Sequence, residues 1–337
     1  MVRSRRPCRR RRAGGSASDD DGARQAVSRV LVTGASGFIG GAVVPALLSA
    51  GYDVRAASRR KPSFAVPVET AIHGDLRGDD PCTCWPGLLA GVDAVVHLAG
   101  IAHTGPGVPP ADYDRVNHRA TAGLAAAARE ASVKRVVFVS TIRAQSGPSA
   151  GHVLTEDDAP EPTDPYGRSK LAAEIALARS GTDFTVLRPV LVYGRGVKGN
   201  LDTLARLAAL PLPLPFGAFT NRRSLLSIAN LVAAIAFVLS DPRSSGVTYV
   251  VSDPQPVSLA QIVSALRAGM GRPPGLLDVP PGLIRCGLTM LRRRRYWDQL
   301  GGELVVNPGK LVTAGWRPET DTAAGLAAMV GNARPAN

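Results

Sequence analysis

Val30-Leu31-Val32-Thr33-Gly34-Ala35-Ser36-Gly37-Phe38-Ile39-Gly40 is the stretch that decides the fold. Val30–Val32 is apolar and largely β-branched, which reads as a buried strand. Phe38–Ala50 reads as a helix stopped by Gly51, with Pro45 expected to kink it or remove one hydrogen bond. A glycine-rich turn between strand and helix is the setting that holds a dinucleotide pyrophosphate. Gly34 permits the tight turn, Gly37 lets the backbone come close, and Gly40 lets the helix pack on the strand. The helix amino terminus adds partial positive charge. Ser36, Phe38 and Ile39 share this turn and are assigned to cofactor binding with the three glycines.

Outward from this unit, strands and helices alternate. Val54–Ala57, Thr70–His73, Ala94–Leu98, Val136–Ser140 and Phe184–Leu187 read as strands, and Ala111–Ala131 and Tyr166–Arg179 as helices. The pattern predicts an α/β fold, a Rossmann-like doubly wound parallel sheet. After Leu187, prolines and glycines cluster from Pro189 to Gly217. The expected organisation is a disordered basic tail (1–27), a nucleotide-binding domain (28–187) and a mainly substrate-binding, smaller C-terminal lobe (188–337). Some elements of that last part are expected to return to the sheet.

The end of the second strand selects the cofactor. An acidic residue there would bind the adenosine ribose of NAD. Ser58-Arg59-Arg60-Lys61 offers cations instead, so Arg59 is expected to meet a 2′-phosphate, and NADP is preferred with NAD as the alternative. Asp75-Leu76 after the third strand is assigned to the adenine, and Leu98-Ala99-Gly100 after the fourth to the nicotinamide ribose.

Tyr166-Gly167-Arg168-Ser169-Lys170 puts a phenol and an ammonium four residues apart on one helix face. The chain has only five lysines and six tyrosines, so about 0.09 such pairs arise by chance. A nearby ammonium can anchor the cofactor ribose and pull the phenol from about 10 toward neutrality, making it an acid/base for hydride transfer. Thr141 closes the fifth strand, where residues of such sheets project into the site, and is expected to polarise the same oxygen.

These motifs, with Leu187-Arg188-Pro189 and Arg223–Leu231, resemble the extended short-chain dehydrogenase/reductases, specifically the NAD(P)-dependent epimerase/dehydratase family acting on nucleotide sugars. The resemblance spans roughly residues 28–330. It implies Thr141 as hydroxyl partner, Tyr166 as acid/base, Lys170 as cofactor anchor and Pro189 at the cofactor. It also implies Asn200 and Arg223 on a substrate diphosphate, and a homodimer through the helices flanking Tyr166. Dehydratases of the family carry Thr-Asp-Glu; here Thr141 is followed by Ile142-Arg143, which disfavours dehydration.

Two sugar reactions remain. The arginines after the second strand favour a 4-keto reductase using NADPH, of the UDP-deoxysugar type found in bacterial polysaccharide synthesis. The first alternative is a UDP-sugar 4-epimerase with tightly bound NAD. A steroid- or flavonoid-like reductase of the same family would have no need of Arg223. A non-catalytic NAD(P)-sensing protein would have no need of all of Thr141, Tyr166 and Lys170.

Composition sets outer bounds. The chain has 337 residues, 45% hydrophobic and 20% charged, which suits a globular protein. No apolar run is long enough to cross a bilayer, and a cytoplasmic location follows as the expectation. Four scattered cysteines offer no paired ligand set, so no metal is expected. Of the net charge of +13, eight arginines and three aspartates in residues 1–27 carry +5. That tail has no apolar run after its arginines and is not read as a secretory signal or a nucleic-acid binder. Leu288–Trp297 joins apolar residues to Arg292–Arg295. A solvated helix end is the ordinary reading, and peripheral membrane contact the less favoured one.

Overall fold

A computed structural model describes residues 28–78, 84–102, 107–290 and 302–331. The basic segment 1–27, Cys82 and Arg292–Arg295 lie outside the described residues.

The first strand, β1 (Arg29–Thr33), leads into α1 (Phe38–Ser49) as the sequence predicts, and Pro45 sits inside that helix. The strands β2 (Asp53–Ser58), β3 (Glu69–Ile72), β4 (Ala94–His97), β5 (Arg135–Val139) and β6 (Phe184–Pro189) follow; a loop joins β2 to β3, α2 (Trp85–Leu89) precedes β4, and helices separate the later strands. Two further short strands, β7 (Leu191–Tyr193) and β8 (Arg222–Arg223), precede β9 (Leu225–Ser227). A late strand, β10 (Val247–Val251), returns to the main sheet and pairs with β6. The sheet has seven strands in the order β10-β6-β5-β4-β1-β2-β3, every pair parallel. The central strands are buried throughout because helices cover both faces. One apolar core lies on each face, and a third, around Tyr193, Leu204, Phe216, Leu259 and Leu326, belongs to the segment after β6.

The strand order reverses between β1 and β4, which is where sheets of this type bind ligands. There the sequence reading needs one correction. Ala111–Ala131 is not one regular α-helix. A short turn of α-helix, α3 (Pro110–Tyr113), passes into a π-helical stretch, Asp114–Arg119, before α4 (Ala120–Glu130) resumes. Such π-bulges re-aim side chains inside helices. This one turns Asn117 inward, where its amide bonds both the N–H and the C=O of Ile101.

Candidate active site

The glycines of the β1–α1 turn are required by space. Gly34 has φ +67°, and a Cβ on it would lie 2.7 Å from Ala99 N. A Cβ on Gly40 would lie 2.5 Å from Gly34 O and 2.7 Å from Ala35 Cα. Turn, helix and the β4 exit therefore share a space that only hydrogen fits. Gly37 caps α1 without a side-chain bond, and the first turn of α1 has no acidic residue. Its N–H groups and its dipole are free for an anion.

A cleft of about 340 Å³ opens beside this turn. Its walls include Gly34, Ser36 and Gly37, then Arg59, Asp75 and Leu76, then Leu98, Ala99 and Gly100, as expected from sequence. Asp75 accepts the Arg77 N–H at 3.1 Å, and the Arg77 side chain also borders the cleft. His73 lines it too; burial, with help from Arg59, holds its imidazole below the usual value and neutral. Phe38 and Ile39 occupy the first turn of α1 beside the cleft. A Cβ on Gly194 would sit 3.5 Å from Phe38 Cζ, and Ile39 packs on the core. Pro189 is buried at the end of β6. The uncapped helix, the glycines of the turn and a cleft lined from Gly34 to Arg59 and Gly100 fit a dinucleotide.

Thr141, Tyr166 and Lys170 come together beyond Gly100. Thr141 follows β5 and caps the 3-10 turn Ile142–Ala144, accepting the Arg143 N–H at 3.2 Å. Tyr166 and Lys170 lie on α5 (Pro165–Arg179), capped by Asp164, whose Oδ1 accepts the Gly167 N–H at 2.7 Å. A Cβ on Gly167 would lie 2.1 Å from Arg143 O, so the first turn of α5 rests directly on the 3-10 turn. This seating brings the Tyr166 phenol beside the Thr141 hydroxyl, which eases its ionisation. The Tyr113 ring lies 6.0 Å away. The Lys170 amine is buried, donates to Val139 O at 2.9 Å and sits 4.3 Å over the Phe138 ring. It is 3.8 Å from where a Cβ on Gly100 would be, at the back of the cleft.

The electrostatics correct one expectation. Burial first, then Asp164 and Tyr113, push the Tyr166 phenol up to about 12; the Thr141 hydroxyl and Arg143 oppose the rise. Lys170 is not among the leading influences on it. Its amine is turned to a backbone carbonyl, and burial lowers it to about 8 against support from Glu174. The four-residue spacing puts both groups on one face, but the lysine amine is bonded to the Val139 carbonyl.

Sequence reasoning missed Asn117. Its Nδ2 also donates to Ser169 Oγ at 3.0 Å, and its Oδ1 would lie 2.9 Å from a Cβ on Gly100. It ties the β4 exit to α5. A lone asparagine in an alanine-rich helix was the available signal. His97 lies behind it, fully buried between Thr33 Oγ1 at 2.7 Å and Thr121 Oγ1 at 3.0 Å.

Arg223 is half-buried on β8, and its Nε and Nη2 are buried without a hydrogen-bond partner among the described residues. Burial and the neighbouring Arg143 charge lower its guanidinium from the usual value. Arg143 itself is ion-paired with Asp164. Asn200 opens α6 (Asn200–Ala208) and is exposed; no hydrogen bond among the described residues ties it to Arg223 or Tyr166. Among the described residues no helix is long and apolar enough to cross a membrane.

Residues 30–252 match the NAD dependent epimerase/dehydratase family. The chain belongs to this family. Among its relatives, a UDP-glucose 4-epimerase from Vibrio cholerae is 34% identical over 308 residues, 88% of this chain and 93% of the relative. An N-acetyl-α-D-glucosaminyl-diphospho-ditrans,octacis-undecaprenol 4-epimerase from Escherichia coli O157:H7 is 28% identical, over 76% of this chain and 77% of the relative. Among solved structures, MoeE5 in complex with UDP-glucose and NAD superposes with a TM-score of 0.68 at 28% identity, covering 90% of this chain and 97% of that one. The fold and family expected from the sequence are thus found.

Proposed function

We propose that the protein is a nucleotide-sugar 4-epimerase, acting on a UDP-hexose with NAD held in the β1–β4 cleft. The observation that carries this is the neighbouring Thr141 and Tyr166 hydroxyls, with Lys170 behind Gly100 at the end of the cleft lined by the β1–α1 turn. The near full-length likeness to a UDP-glucose 4-epimerase gives it its direction.

Gly34, Gly37, Gly40 and the first turn of α1 would hold the pyrophosphate, and Asp75 and Gly100 would flank the two nucleoside ends. When bound, the nicotinamide supplies reversible hydride transfer. Tyr166 exchanges the proton at the sugar C4 oxygen. With its phenol near 12 it is neutral at pH 7, which suits donation to a carbonyl oxygen. Taking the proton back from an alcohol needs the phenolate, which Thr141 and Arg143 favour. Lys170 keeps a positive charge at the back of the cleft. Arg223 grips the diphosphate through Nε and Nη2, the two nitrogens left without partners among the described residues. Asn200 would join it only from the exposed start of α6.

A second reading, a 4-keto reductase using NADPH, rests on Arg59 at the cleft and on the absence of a carboxylate in Ser58–Lys61. One experiment separates the two. The purified protein is incubated with UDP-glucose without added coenzyme. Appearance of the C4 epimer, with NAD released on denaturation, supports the epimerase. Turnover that needs added NADPH and a 4-keto sugar overturns it in favour of the reductase. Full turnover by Tyr166→Phe would sink both.

A further inference from the structure

Lys170 and Thr141 are joined beneath the site by a buried polar network with no place in the chemistry above. Glu174, one turn beyond Lys170, is paired with Arg188 through Nη2–Oε2 at 2.6 Å, and Arg188 Nε lies 3.2 Å from both carboxylate oxygens. Both side chains are 7% exposed. The Ser140 hydroxyl donates to Glu174, and Arg188 Nη1 donates to Gln145 Oε1 at 3.1 Å. Gln145 in turn donates to Thr155 O and Asp158 O, and its carbonyl accepts the Glu161 N–H at 2.8 Å.

Each member adjoins a residue of the proposed site. Ser140 precedes Thr141, Gln145 closes the turn that Thr141 opens, Glu174 follows Lys170 by four, and Arg188 precedes Pro189. The network spans β5, the 3-10 turn, α5 and β6, so it controls how α5 sits on that turn. Stability alone is a poor reason to keep it. A buried ion pair gains little over well-packed apolar residues of similar volume, because desolvation offsets the attraction.

We propose that Ser140, Gln145, Glu174 and Arg188 are positioning residues that hold Thr141, Tyr166 and Lys170 in register. The proposal rests on the roles given to those three above. None of the four touches substrate in it. Glu174 has a second effect: it supports the charge on Lys170. The titratable and charged groups about that amine are Glu174 and Tyr166 on its own helix and His97 on β4, with Arg188 on β6 behind Glu174.

The test is the double variant Glu174→Met/Arg188→Met, beside Glu174→Gln and the control Tyr166→Phe. Glu174→Gln leaves Arg188 buried without its counter-charge and lowers Tm; the double variant recovers it. In both, kcat falls by about 10–100-fold while KM for the UDP-sugar stays within about threefold, as for a misplaced reacting group. The alkaline fall of kcat/KM moves to lower pH, because Lys170 loses the carboxylate that keeps it protonated. If the double variant does not fold, Ser140→Ala removes one hydroxyl and no charge. It is expected to lower kcat by about three- to tenfold at unchanged KM. A folded double variant, or failing that Ser140→Ala, with wild-type kcat and pH profile overturns the positioning role. Full activity in Tyr166→Phe overturns the site reading instead, so the two failures are distinct.

Discussion

Arg223→Met should make the free protein more stable and the enzyme far worse. Arg223 holds two buried donor nitrogens without partners among the described residues, next to a second guanidinium. An unsatisfied buried donor costs about 1–3 kcal/mol. Methionine keeps most of the apolar stem and removes both donors and the repulsion. A gain of about 2 kcal/mol follows after discounting for partial exposure, which in a chain of this size raises Tm by about 3 °C. The same donors are proposed to grip the diphosphate. Two charge-assisted hydrogen bonds at about 1.5–3 kcal/mol each amount to about 3–6 kcal/mol, or about 10²- to 10⁴-fold in affinity. Thermal unfolding without ligand gives the first number. Calorimetric titration with UDP gives the second, and UDP should no longer raise Tm at concentrations that protect the wild type. A protein that is destabilised by the change yet binds UDP normally would refute the reasoning, since Arg223 would then be a structural cation.

Gly40→Ala places a methyl 2.5 Å from Gly34 O and 2.7 Å from Ala35 Cα, backbone atoms that cannot yield cheaply. It should cost about 1–3 kcal/mol and strip the coenzyme, read as nucleotide released from the purified protein. With Lys170 near 8 in the free enzyme, kcat/KM should fall above that pH as the amine deprotonates. Lys170→Arg, a cation that cannot deprotonate, should be slow and lack that fall. His97 is held near 3 by burial, below its ordinary 6.5. The unfolded chain binds the extra proton between those values, so His97 costs stability as pH falls below 6.5, by about 1.4 kcal/mol per unit. Unfolding midpoints between pH 7 and 5 should flatten in His97→Gln, even though that variant is weaker at pH 7.

What sequence reading could reach was local. The glycines of Thr33–Gly40, the buried strands and the spacing of Tyr166 and Lys170 are set within a turn or two of chain, and their physics is steric or periodic. The seventh strand was foreseen only as an element that returns, because its pairing with β6 joins residues some sixty positions apart. The π-helical stretch at Asp114–Arg119 left no mark in the sequence pattern, and the bonds Asn117 makes from it reach the backbone of Ile101, sixteen residues away. Arg223 could be named, but its two bare donors could not, since that is a statement about surrounding groups.

The lysine shows most clearly where spacing stops being informative. A separation of four residues fixes which face of α5 carries the amine, yet four rotatable bonds decide where the charge goes. In the free protein the charge goes to Val139 O and the Phe138 face, within a site too dry to hold it at its ordinary value. The phenol is then left near 12, with Thr141 and Arg143 as its chief support. Proton exchange at a sugar oxygen near neutrality therefore requires a change when ligand binds. Either the amine leaves the carbonyl and approaches the phenol, or the proton passes in both directions between the sugar oxygen and Tyr166 through the Thr141 hydroxyl. The two routes predict different behaviour of Thr141→Val. In the first it weakens activity by about tenfold, the ordinary share of one hydrogen bond. In the second it removes the relay and approaches the loss expected of Tyr166→Phe.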